Sequence, residues 1–114
     1  MNKKEALECI SNGEYESVPK EFYKDKSFVL EAVKLDVDGN VLYYADQSFR
    51  KDKTIILEAV IQNGIALSYA DESLKKDKSF VLKAIKLDEG GIALEYADES
   101  LQKDPDIIQA AKNR

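Results

Sequence analysis

The sequence predicts an all-α fold, a small solenoid of stacked αα-hairpin repeats of about 25–27 residues each, with degenerate capping repeats at both ends. Three observations carry this expectation. Lys24-Asp25-Lys26-Ser27-Phe28-Val29-Leu30 returns as Lys51-Asp52-Lys53-Thr54-Ile55-Ile56-Leu57 and again as Lys76-Asp77-Lys78-Ser79-Phe80-Val81-Leu82. A second block follows each: Leu42-x-Tyr44-Ala45-Asp46-x-Ser48-Phe49, Leu67-x-Tyr69-Ala70-Asp71-x-Ser73-Leu74 and Leu94-x-Tyr96-Ala97-Asp98-x-Ser100-Leu101. Within each unit, apolar residues recur three and four positions apart, which is the spacing of one helix face.

The repeats organise the whole chain. Residues 1–23 form a degenerate first unit, because Ala6, Leu7, Cys9 and Ile10 take the slots of Ile56, Leu57, Ala59 and Val60 when Asn2 is aligned with Asp52. Residues 24–50, 51–75 and 76–102 are full repeats, and residues 103–114 are a capping helix. Each full unit is expected to begin at an N-cap aspartate (Asp25, Asp52, Asp77, with Asp104 opening the last helix), where a carboxylate accepts from unpaired backbone N–H groups. Pro105 at the first helical position agrees, since its missing N–H costs nothing there. The first helix then buries Phe28, Val29, Ala32 and Val33 or their equivalents, with Leu30 widening the stripe. Gly39, Gly64 and Gly91 are expected to reverse the chain through a left-handed conformation. A second helix runs through Leu67, Tyr69 and Ala70 and their equivalents, and Phe49, Leu74 or Leu101 drops back to the core. A single unit has too few apolar side chains to offset the entropy of ordering it, so stability must come from stacking. Glu5, Gln109 and Lys112 replace apolar residues in the terminal units, as capping requires, and the chain is expected to be a complete small solenoid.

Composition excludes several classes of function. Among 114 residues, 17 basic and 22 acidic side chains leave a net charge of −5, which disfavours direct binding of nucleic acid. There is no histidine, the usual general base and commonest zinc ligand. The one cysteine, Cys9, has no partner for an internal disulfide. No apolar run reaches the length of a membrane span, and Glu5 and Glu8 make the N-terminus unlike a signal peptide. A cytoplasmic location is expected.

The pattern K-D-[KP]-x-Φ-Φ-L-x-A-Φ, a glycine turn and then A-L-x-Y-A-[DS]-x-x-L resembles a bacterial short helical repeat catalogued as domain of unknown function 4116. The resemblance is strongest from Lys24 to Leu101. It implies a helical array acting as an interaction scaffold and assigns no activity.

Candidate chemistry is sparse. Asp36-Val37-Asp38-Gly39-Asn40 begins like a calcium loop, yet glycine stands fourth rather than sixth and the twelfth position is Gln47, so a plain turn is expected. Cys9 occupies the slot of Ala32, Ala59 and Ala84 and reads as a packing residue. Tyr44, Tyr69 and Tyr96 recur at one offset and read first as core or half-buried packing, with a role as partner contacts the alternative. Asp46, Asp71, Glu72, Asp98 and Glu99 fall at matching offsets, so stacking should set them in a row at roughly 8–10 Å intervals. Arg50, Lys51, Lys75, Lys76 and Lys103 make a second row of opposite sign. No phosphate loop or nucleophile motif is present, and no cofactor, metal or catalytic site is expected.

The expected role is a non-enzymatic protein-binding module. Small acidic binders of this kind resemble anti-CRISPR proteins and toxin immunity proteins, so a stoichiometric inhibitor covering a basic surface of a larger bacterial protein is the first expectation. That partner would be a nucleic-acid-processing enzyme or a toxin. An adaptor bridging two proteins is the alternative, and a small enzyme using Asp, Lys or Tyr is a remote one.

Overall fold

A computed structural model describes residues 1–36 and 38–113. It is all-helical, with no strand among the described residues. Five longer helices form one layer: α1 (Lys3–Ser11), α2 (Lys26–Leu35), α4 (Lys53–Gln62), α6 (Lys78–Leu87) and α8 (Pro105–Lys112). A second layer of short turns contains α3 (Val41–Tyr44), α5 (Glu72–Lys75) and α7 (Glu99–Gln102) together with short 3₁₀ segments such as Gly64–Tyr69. Each long helix packs on the next in chain order, giving a rod of 48 × 24 × 17 Å.

The helix starts follow the sequence reading. Asp25 accepts from the Ser27 and Phe28 N–H groups, Asp52 from Ile55, Asp77 from Phe80, and Asp104 from Asp106 and Ile107, with Pro105 opening α8. Asn2 and Glu5 form a reciprocal capping box on α1, so the glutamate found in an apolar slot has a local task. Phe28, Val29, Ala32 and Val33, and their equivalents in α4 and α6, are buried. Leu74 and Leu101 return to the core and Phe49 is half-buried there. Gln109 and Lys112 are exposed on α8.

The second half of each repeat departs from a single helix. It is cut into two short turns at Ala45-Asp46, Ala70-Asp71 and Ala97-Asp98, where the backbone is extended (ψ 153°, 147° and 158° at the alanines). The aspartates cause the break by capping the following turn with their own side chains, a local bond that competes with helix continuation. The break also frees a donor. Asp46 N–H bonds to Tyr23 C=O (3.0 Å), Asp71 N–H to Arg50 C=O (2.9 Å) and Asp98 N–H to Lys75 C=O (3.1 Å), tying each repeat to the one before it.

The glycines divide into two kinds. Gly39 (φ +76°) and Gly91 (φ +75°) adopt the expected left-handed conformation. Gly64 does not: its turn is shorter, and Asn63 caps the next residues directly through the Ile65 N–H. What Gly64 provides is space, because an added Cβ would stand 2.5 Å from Asp88 Oδ2 in the following repeat.

Candidate functional site

The acidic row begins with the local chemistry of Asp-x-Ser. In each full repeat, one carboxylate oxygen takes two bonds from the serine two residues on: Asp46 from Ser48, Asp71 from Ser73 (3.0 and 2.7 Å) and Asp98 from Ser100 (3.1 and 2.6 Å), through backbone N–H and hydroxyl alike. The serine hydroxyl and then its N–H hold all three carboxyls below their ordinary value of 3.8. The carboxylates are therefore ionised and fixed in orientation. Asp46 is exposed and Asp71 and Asp98 are half-exposed, while Glu72 and Glu99 beside them are exposed.

These shifts set an expected pH response. Each folded pKa lies below the unfolded one, so the stabilisation is complete above about pH 4 and disappears as pH falls through the lowered values. The urea midpoint should hold steady from pH 7 to 5 and drop on further acidification. A midpoint unchanged down to pH 3 would show that these caps do not stabilise the fold.

The cations are interleaved with the acids. Lys24, Lys51 and Lys76 approach Asp46, Asp71 and Asp98 in turn, Lys75 pairs with Glu72 at 3.6 Å, and Lys103 is exposed. A further ladder escaped the sequence reading. Lys26 reaches Asp52 (2.7 Å), Lys53 reaches Asp77 (3.6 Å) and Lys78 reaches Asp104 (3.2 Å) and Asp106 (2.7 Å), so the first residue of each helix grips the cap of the next. Partners about 26 residues apart meet only once the stacking register exists.

The tyrosines take three different environments. Tyr44 stacks on Tyr15 (centroids 5.8 Å) and on Tyr23 (5.7 Å), and its hydroxyl bonds to Glu16 (3.4 Å). Tyr69 lies under the Arg50 guanidinium, 5.6 Å from its ring centroid. Tyr96 is half-buried against the core. Between successive turns of the second layer lie two open grooves at equivalent positions. The first, about 390 Å³, is floored by Tyr15, Val18, Tyr23 and Tyr44 with Lys24 and Asp46 at its edge. The second, about 650 Å³, is lined by Ser48, Arg50, Lys51, Tyr69, Asp71 and Lys75. Arg50 Nε is buried without a hydrogen-bond acceptor, a state that costs about 1–3 kcal/mol.

Asp36 and Asp88, which the sequence reading placed in turns, are buried structural carboxylates. Asp36 accepts from the Tyr15 hydroxyl (2.5 Å), Gly39 N–H (3.1 Å) and Val41 N–H (2.7 Å). Asp88 accepts from Gly90 (3.1 Å) and Ala93 (2.6 Å). The signal was present, since an Asp or Asn stands eleven residues after the capping aspartate in all three full repeats. In the calcium-like stretch, Val37 lies outside the described residues; Asp36 has both oxygens committed to the fold. No cluster of three or more His, Cys, Asp or Glu side chains suited to a metal occurs among the described residues. Cys9 is half-buried against the core. Burial, then the bond to Asp36, raises the Tyr15 hydroxyl well above its ordinary value, so it remains a donor rather than a base. Among the described residues, no helix is long and apolar enough to cross a membrane.

Three overlapping segments, residues 25–75, 52–89 and 77–113, match the sequence model of a family described as Domain of unknown function (DUF4116). No curated protein and no solved structure matches the chain.

Proposed function

The chain belongs to the family of domain of unknown function 4116, and from that premise we propose that it is a protein-binding module that lays its carboxylate row on a basic partner surface and inhibits by occupying it. One observation supports this reading above others: Asp46, Asp71 and Asp98 are held ionised and fixed at the same place in each repeat by Ser48, Ser73 and Ser100, with Glu72 and Glu99 alongside. Carboxylates already ordered lose little entropy on binding. A charged row also steers encounter with an oppositely charged surface. A standard interface takes about 800 Å² from each partner, about an eighth of the 6539 Å² surface here, so one long face of the rod suffices. A nucleic-acid-processing enzyme or a toxin with a basic cleft is the kind of partner such a face would block.

The test must remove charge without removing the caps. Reversal of Asp71 or Asp98 to lysine deletes a helix cap, whereas Asp71→Asn and Asp98→Asn keep a side-chain oxygen for Ser73 and Ser100. Combined with Glu72→Gln and Glu99→Gln, these changes should weaken binding to the protein recovered by affinity from native lysate by at least about tenfold and flatten its salt dependence. Calorimetric titration reads both. Unchanged affinity in a variant with an unchanged circular dichroism spectrum would sink the proposal.

The adaptor reading has one observation in its favour. The long-helix layer carries its own shallow groove, lined by Leu7, Glu8, Glu31 and Leu35 between α1 and α2. Crosslinking in cells that recovers a single partner would count against bridging.

A further inference from the structure

The two grooves of the short-turn layer are the same feature in successive repeats, yet their chemistry differs. Tyr23 and Arg50 occupy equivalent positions two residues before the caps Asp25 and Asp52, and Tyr44 and Tyr69 are equivalent as well. The first groove is therefore aromatic at its floor and the second cationic. In the second, the acids are already engaged, Asp71 by Ser73 and Glu72 by Lys75. Arg50 has no ion pair or hydrogen bond from its guanidinium among the described residues, and its Nε is buried without an acceptor. The guanidinium carbon lies over the Tyr69 ring, 5.6 Å from its centroid, and the guanidinium charge is left for an anionic acceptor.

Adjacent helices stack at roughly 8–10 Å, and a polyproline II segment advances about 3.1 Å per residue with about three residues per turn. Side chains three residues apart on such a segment share a face and therefore reach successive grooves. The acceptor is better matched by a carboxylate than by a polyphosphate, because Asp71 and Glu72 border the groove and the net charge is −5.

We propose that the two grooves form one peptide-reading track, in which a polyproline II segment of a partner protein seats an apolar or aromatic side chain among Tyr15, Val18, Tyr23 and Tyr44 and places an acidic side chain, about three residues away, on Arg50 and Lys51. This goes beyond the acidic-row reading and fails separately from it, since that reading is tested on Asp71, Glu72, Asp98 and Glu99 against a basic protein and this one on Arg50 against acidic peptides.

The experiment pans a random-peptide display library on the full chain and measures the enriched peptides by fluorescence anisotropy. The expected winners carry an aromatic or aliphatic residue and an Asp or Glu about three positions apart. Changing that acid to its amide in the peptide should weaken binding at least about tenfold, with no change to the protein at all. Arg50→Gln in a protein of unchanged circular dichroism should do the same. Failure to enrich any peptide, enrichment of basic peptides without an acid, or indifference to either amide change would overturn the track.

Discussion

Replacing Asp36 with alanine is expected to cost about 3–5 kcal/mol of folding stability, because it strands three donors in the interior at once. The Tyr15 hydroxyl, Gly39 N–H and Val41 N–H all converge on this carboxylate, which is 4 % exposed. Tyr15→Phe removes only one of the three bonds and should cost about 1–2 kcal/mol. Asp36→Asn keeps an acceptor oxygen and should fall between them. Urea unfolding of the three variants at pH 7 measures the series. A loss below about 1 kcal/mol for Asp36→Ala would mean that water reaches these donors and that the carboxylate does not staple the turn.

Gly64→Ala should cost about 2–4 kcal/mol, for a steric reason with no counterpart at Gly13, Gly39 or Gly90. The new Cβ would lie 2.5 Å from Asp88 Oδ2, so either the backbone of the 64–69 turn shifts or Asp88 gives up its bonds to Gly90 and Ala93. Gly13→Ala is the contrasting case. Its φ of +76° strains an alanine, but a Cβ there meets open space, and a loss of about 1 kcal/mol is expected. A double-mutant cycle separates the two mechanisms: on an Asp88→Ala background the penalty at Gly64 should shrink, since the clashing carboxylate is gone. Equal penalties with and without Asp88 would place the strain elsewhere.

Both predictions concern residues that the repeat pattern marked without explaining. Asp36 and Asp88 recur with Asn63 at one offset, and Gly64 aligns with glycines that do reverse the chain. In Asp36 the role comes from a tyrosine 21 residues earlier, and in Gly64 from a carboxylate one repeat later. The candidate site divides in the same way. The offsets of Asp46, Asp71 and Asp98 are readable directly, and so is the Asp-x-Ser pattern behind their caps. That their backbone N–H groups bind the preceding repeat, and that the second helix is cut to allow it, is not.

What the sequence determined by itself was everything that physical chemistry settles within about four residues: the helix starts at Asp25, Asp52, Asp77 and Asp104, the buried stripe from Phe28 to Val33 and its copies, and the period that sets stacking. What only the tertiary structure decided were contacts between residues about one repeat apart. The Lys26–Asp52, Lys53–Asp77 and Lys78–Asp104 ladder, the seat of Asp88 on Gly64 and the stacking of Arg50 over Tyr69 all belong to this class. The reason is register. A local pattern specifies which side of a helix faces its neighbour, but which side chains meet depends on how far one repeat slides and turns on the next, and that is settled by packing the whole core together.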